Sequence, residues 1–186
     1  MPAALNFIGR WAFYGCTGLI RADLSAATGL TSLSGWAFLG CTILTEVILP
    51  EGLTSIDNNA FQNCSSLTGI ILPASLTSIG AGAFFGCSSL TEITLPASLI
   101  SIGGGAFIEC TNLAIMTSLN PTPPTHNGLE GWFGNTHPNL RIEVPAGNAN
   151  AYRTAFGWNE NDTRNRIHSI GCTLPNAEEG GQCSCT

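Results

Sequence analysis

The hydrophobic pattern of this chain is a phrase that repeats. In Leu90-Thr-Glu-Ile93-Thr-Leu95 apolar residues hold the first, fourth and sixth places among polar ones, and Pro96 then removes the N–H that a longer ladder would need. The pattern predicts a short strand stopped by proline. A second apolar pair, Leu76 and Ile79, recurs as Leu30/Leu33, Leu53/Ile56 and Leu99/Ile102, and marks a short extended return segment. Ala83-Phe84 and Cys87, spaced three to four apart, then put three inward side chains on one helical turn. Gly86 closes that turn, as Gly15 and Gly40 do in other copies.

Five cysteines measure the period. Cys16, Cys41, Cys64, Cys87 and Cys110 fall 25, 23, 23 and 23 residues apart, each closing the same phrase of a small residue, Phe, two variable residues and Cys. Near-copies start at Leu49, Leu72 and Leu95; an earlier one starts at Leu24 with two extra residues in its Ser25 to Gly29 turn, and a fragment from Leu5 to Asp23 enters mid-copy. A period in the twenties is the mark of a solenoid, in which each unit buries its apolar face against its neighbours. With a degenerate copy from Trp132-Phe133 to Val144, about six units are expected.

Composition narrows the partners. Hydrophobic residues make up 44% of the chain against 10% charged, enough to fill a core, and lysine is absent. No basic side chain lies between Arg21 and Arg141, whereas Asp23, Glu46, Glu51, Asp57, Glu92, Glu109 and Glu130 do. Nucleic acid, whose counterions only Lys and Arg displace, is a poor candidate partner, and the same deficit argues against anionic membrane surfaces. No stretch approaches the roughly 20 apolar residues of a membrane span, so no membrane insertion is expected. The start, MPAALNFIGRWAF, lacks the basic opening and unbroken apolar run of a signal peptide. Either the protein stays in the cytoplasm or its leader is missing from this chain.

The strand, return segment, Ala-Phe-x-x-Cys turn and recurring prolines together resemble the BspA-like, or Treponema pallidum type, leucine-rich repeats over residues 5–118. The resemblance implies a leucine-rich-repeat solenoid with short parallel strands on the concave face and helical turns and short extended segments elsewhere. It also implies an α/β-like C-terminal cap, because Leu140-Arg-Ile-Glu-Val-Pro-Ala-Gly147, Ala151-Tyr152 and Gly157-Trp158 look like the family's closing segment. Residues 1–118 are thus expected to hold the repeats, 119–171 the degenerate repeat and cap, and 172–186 a Cys-containing flexible tail. Members of this group are commonly noncatalytic surface or secreted binding proteins and adhesins of bacteria and some protists. A cell-envelope or secreted location and a protein or peptide partner follow as implications.

Candidate chemistry is sparse. Equivalent cysteines in stacked turns sit about 4.8 Å apart with parallel side chains, whereas a disulfide wants Cβ atoms about 3.8 Å apart and angled together. The five repeat cysteines therefore read as a buried column of free thiols acting as small hydrophobes. Cys172, Cys183 and Cys185 give only a weak metal signal, and in an oxidising compartment one bridge from Cys172 to the Cys183/Cys185 pair is plausible. His126, His137 and His168 are isolated, and Gly80-Ala-Gly82 and Gly103-Gly-Gly105 read as tight turns rather than phosphate loops. Asn63-Cys-Ser65 and Asn161-Asp-Thr163 fit a glycosylation pattern, but the first would set a glycan beside the cysteine column. No nucleophile has a recognisable base and orienting acid. No catalytic residue, metal or cofactor is assigned.

What remains is surface. On the concave strands, Arg21, Glu46, Gly69, Glu92 and Ile115 form one outward column and Asp23, Ile48, Ile71, Thr94 and Thr117 the next. Arg21, Glu46, Ile48, Ile71, Glu92 and Thr94 are the expected partner-binding strip. On the turn side, Tyr14, Leu39, Phe85 and Ile108 follow the core Phe, and Trp11 and Trp36 precede the Ala. Two readings stand for these rows: a contact surface, or side chains tucked against one another across units. Trp11, Tyr14, Trp36, Leu39 and Phe85 are the self-association candidates, since the first unit opens without a preceding strand and solenoid ends need polar caps. The expected function is a noncatalytic repeat module for a protein or peptide partner, with a self-associating scaffold as the alternative.

Overall fold

The computed structural model describes residues 5–127, 131–155, 158 and 166–170. Each repeat makes one turn of a solenoid, and hydrogen bonds join successive turns along three lines. The first is the concave sheet, made by β1 (Arg21–Asp23), β3 (Glu46–Ile48), β6 (Glu92–Leu95), β8 (Ile115–Ser118), β10 (Arg141–Val144) and β11 (Ile167–Ser169). The second is the return sheet, made by β2 (Ser32–Leu33), β4 (Ser55–Ile56), β5 (Ser78–Ile79), β7 (Ser101–Gly103) and β9 (Thr125–Asn127). Every pairing is parallel, and Ser32, Ser55, Ser78, Ser101 and Thr125 stand in register along the return sheet.

The third line runs through the Ala-Phe-x-x-Cys segments. These are not a regular helix but chained turns, in which alternate N–H groups bond within the unit and the others donate to the next unit. Phe38, Phe61 and Phe84 N–H, for example, donate to the carbonyls of Ala60, Ala83 and Ala106 at 2.8, 2.8 and 2.9 Å. Two places per unit take left-handed backbone to make this possible. One is the position before Ala, at Trp11, Trp36, Asn59, Gly82 and Gly105, where φ runs from 58° to 67°; the other is the position before Cys, at Gly15, Gly40, Asn63, Gly86 and Glu109. Glycine and asparagine accept that conformation readily, and tryptophan and glutamate do not. The stack imposes it.

The core is as periodic as the sequence. Phe13, Phe38, Phe61, Phe84, Phe107 and Phe133 form one ladder with ring centroids 4.8, 5.4, 5.4, 5.6 and 6.2 Å apart. Each fully buried rung contributes about 2–3 kcal/mol of transfer free energy. Beside it, the thiols of Cys41, Cys64, Cys87 and Cys110 donate to the carbonyls of Phe13, Phe38, Phe61 and Phe84 at 3.0, 3.1, 3.2 and 3.1 Å. Burial pushes the thiols of Cys64 and Cys110 up to about 12. Cys16 departs from the expected column of five: it is exposed, because the described chain places no unit on its outer side.

At the other end the repeat changes character. Trp132 and Phe133 take the Ala-Phe places, with Phe107 N–H donating to the Trp132 carbonyl at 3.2 Å. Beyond β10, α1 (Ala149–Thr154) buries Tyr152, whose hydroxyl bonds Ser118 at 2.7 Å and donates to the Asn120 carbonyl at 2.6 Å. Trp158 closes the aromatic cluster, edge-on to Trp132 at 4.5 Å, and its indole N–H donates to the Pro124 carbonyl at 3.1 Å.

Candidate partner-binding groove

Because strand residues alternate inward and outward, the concave sheet presents the two columns expected from the sequence. Arg21 pairs in register with Glu46 and Asp23 with Ile48, and farther along Glu92 pairs with Ile115 and Thr94 with Thr117. Between these pieces the sheet is interrupted. Among the described residues, none of Gly69, Ile70, Ile71 and Leu72 enters a backbone–backbone hydrogen bond, and no strand links β3 to β6. The segment still keeps its place, since Ile70 and Leu72 point inward at 8% exposure. Glycine is the weakest strand former at this place, with no side chain to pack and the most backbone freedom to lose.

The interruption is the floor of a groove of about 620 Å³. A Cβ built on Gly69 would meet nothing within 4 Å, and Ile71 beside it is 86% exposed. Ile48, half-buried, and Leu119 extend the apolar floor, while Glu46, Glu51 and Glu92 stand around it. Arg21, expected in the same strip, does not line this groove and touches it only through Glu46, which it pairs at 2.6 Å, while Asp23 lies 3.6 Å from its guanidinium. Glu51 and Glu92 take part in no ion pair among the described residues. The hydroxyl and N–H of Ser25 hold the Asp23 carboxyl below its ordinary value. The groove can therefore receive an apolar side chain on its floor and a cation at its rim. Thr94 adds a hydroxyl at its edge.

A second groove, of about 710 Å³, follows the return sheet past Arg10, Trp36, Asp57, Asn58, Ser78 and Asn127. Its aromatic end is internally satisfied: Trp11 and Trp36 lie 5.5 Å apart and the Arg10 guanidinium sits 5.2 and 4.4 Å from their centroids. Trp36, Leu39 and Phe85 are half-buried along the stack, whereas Trp11 and Tyr14 are 53% and 63% exposed. The self-association candidates thus divide, with the exposed ones at the N-terminal turn.

No three His, Cys, Asp or Glu side chains converge among the described residues. His137 Nδ1 accepts the Asn139 N–H at 3.1 Å, and burial with Arg141 and Arg153 nearby lowers the pKa of His168. Cys172, Cys183, Cys185 and the Asn161 site lie outside the described residues. Two features escaped the sequence reading. The Arg10 clamp on both tryptophans had no periodic signal, and the break in the sheet had one, a lone glycine in a strand pattern.

Similarity to known proteins agrees with this geometry. The family model described as BspA type leucine rich repeat region matches residues 1–120 in six copies. Among solved structures, a leucine-rich repeat protein of T. pallidum is 37% identical with a TM-score of 0.60, the match covering 73% of this chain and 63% of that one. One from Bacteroides ovatus is 31% identical with a TM-score of 0.62, over 74% of this chain and 34% of the other. The pneumococcal vaccine antigen PcpA, at 18% identity and a TM-score of 0.57 over 81% of this chain and 40% of its own, shares the fold. The chain thus spans less than two thirds of each of these structures. No curated protein matches it.

Proposed function

Because the chain belongs to the BspA-type leucine-rich repeat family, whose repeats generally serve protein interaction, we propose that it is a noncatalytic binding module whose concave groove takes a protein or peptide segment. One observation carries the reading: Ile71, 86% exposed, stands on the floor of a groove where its own strand is unpaired. An aliphatic side chain held in water at the bottom of a concavity gains about 2 kcal/mol when a partner covers it. The described repeats supply the binding face, and α1 with Trp132 and Trp158 closes the stack. A surface or adhesive setting in a bacterium is the one that the resemblance to the BspA-type repeats implies.

Self-association is the second reading. It draws on Phe7, Trp11, Tyr14 and Ile20, which are 67%, 53%, 63% and 59% exposed at the first turn. The two readings separate in one experiment. Peptides selected from a phage-displayed library against the folded chain should lose at least tenfold in affinity with Ile71→Asp or Ile48→Asp, while Trp11→Ser changes nothing. Full affinity in the Ile48→Asp/Ile71→Asp double variant, with its melting unchanged, would remove the concave site.

A further inference from the structure

We infer that the groove is built for a segment that alternates basic and aliphatic residues, with a lysine or arginine side chain of the partner lying in the slot over Gly69. The inference rests on the concave reading above and adds the chemistry of the partner.

Gly69 stands 23 residues after Glu46 and 23 before Glu92, so the period places it between the two glutamates in one outward column. Glu46 and Glu92 therefore stand two units apart in that column, on either side of a unit that carries no side chain there. That is room for one extended side chain. The space over Gly69 is empty to 4 Å from a built Cβ. An alkyl chain ending in a cation matches both the slot and its rim. The rim is short of cations of its own, since Arg21 is engaged by Glu46 and Asp23, and no basic residue follows it before Arg141. One column over, Ile48 and Ile71 offer the apolar contact for the partner's neighbouring side chain, and Thr94 continues that column toward a polar end. Charge pattern and shape thus select together. An acidic segment would meet the carboxylates of Glu51 and Glu92, which no ion pair engages among the described residues, around the same floor.

The test uses fluorescein-labelled peptides carrying Leu-Lys-Leu units on a Gly-Ser background, with Glu and Ser replacing Lys in two controls. Anisotropy at low salt should show binding of the Lys peptide and none of the Glu peptide. Glu92→Gln should weaken the Lys peptide about tenfold, the usual effect of losing one charge-assisted contact. Gly69→Leu, which keeps every charge and fills the slot, should abolish binding. Asp57→Asn makes the same charge change on the return face and should leave it intact. Should Gly69→Leu lose its cooperative melt, Gly69→Ser replaces it under the same criterion. Wild-type affinity in the filled-slot variant, or equal weakening by Asp57→Asn and Glu92→Gln, would reduce the effect to general attraction by an acidic protein and overturn the inference. Equal binding of the Lys and Ser peptides, both lost with Ile71→Asp, would overturn the basic class and leave the concave site standing. Loss with neither Gly69→Leu nor Ile71→Asp would end both.

Discussion

The return sheet and the concave sheet come from the same repeats, yet five strands run unbroken in the first and the second divides into pieces of two and four. Two glycines show why. A Cβ on Gly103, in the return sheet, would lie 2.2 Å from the Ala81 nitrogen and 2.6 Å from its Cα, so here glycine lets two backbones close to bonding distance. On Gly69 the same atom would meet nothing within 4 Å. One glycine tightens the stack and the other loosens it. A repeat protein can therefore keep its period on one side and vary the other, which is where a binding face belongs.

The largest effect expected from breaking that comparison is at Gly103. Gly103→Ala drives a methyl into backbone that is itself held by the Gly80 N–H donating to the Ile56 carbonyl at 2.7 Å. Relief by a rotamer change is impossible, so a loss of about 3 kcal/mol is expected, read as a lower urea midpoint with the slope unchanged. A loss under about 0.5 kcal/mol would show that the return sheet is not limited by this approach.

Much of the solenoid could be read before the structure, because its cause is periodic. The Leu30/Leu33, Leu53/Ile56, Leu76/Ile79 and Leu99/Ile102 pairs all became inward residues flanking or within return strands, and all are buried to 2% exposure or less. The outward columns were legible for the same reason, since a strand has a period of two. What could not be read was the energetic state of each rung. Sequence gives Gly69 a place in the column but says nothing of whether its N–H and C=O are engaged, which depends on two neighbouring units. Nor could exposure at the stack's first turn be read from the repeat: Cys16 obeys the phrase as well as Cys87 does, and only neighbours make one buried. Trp11 and Trp36 carried the third gap, because their left-handed backbone follows from inter-unit hydrogen bonds and not from local preference.

The thiol column gives the next effect and sharpens the comparison by testing what both sheets share. Cys64 and Cys110 are raised from 9.0 to about 12 by burial, and Cys87 is raised as well. A raised folded value means that the folded state holds the proton more tightly than the unfolded chain. Stability from these groups is therefore complete below pH 9 and falls as pH climbs from about 9 through about 12. The slope approaches about 1 kcal/mol per thiol per pH unit once the unfolded thiols are ionised. Urea midpoints should stay level near neutrality and drop above pH 9. In native protein at pH 8, Ellman's reagent should reach Cys16 promptly among the repeat cysteines and leave Cys64, Cys87 and Cys110 for the unfolded chain. Prompt native labelling of Cys64 or Cys87 would mean that the stack opens there.

The smallest effect is expected at Gly69 and probes the loosened side directly. Threonine at that place restores a β-branched side chain like those around it and removes the backbone freedom of glycine, two gains of about 0.5–1 kcal/mol each in favourable settings. The space for it is open, so no strain opposes the change. Part of the gain is spent bringing the side chain between the Glu46 and Glu92 stems, and the net expectation is stabilisation of up to about 1 kcal/mol. Stability alone would be a blunt reading of this. Amide exchange is sharper: Ile70, Ile71 and Leu72, with no backbone partners in the native chain, should exchange quickly in the parent and slow in Gly69→Thr as β3 and β6 become joined through a new strand. The five return strands should exchange alike in both. If the three amides stay fast in the threonine variant, the interruption is set by the spacing of β3 and β6 rather than by glycine, and the slot belongs to the backbone of the whole concave face.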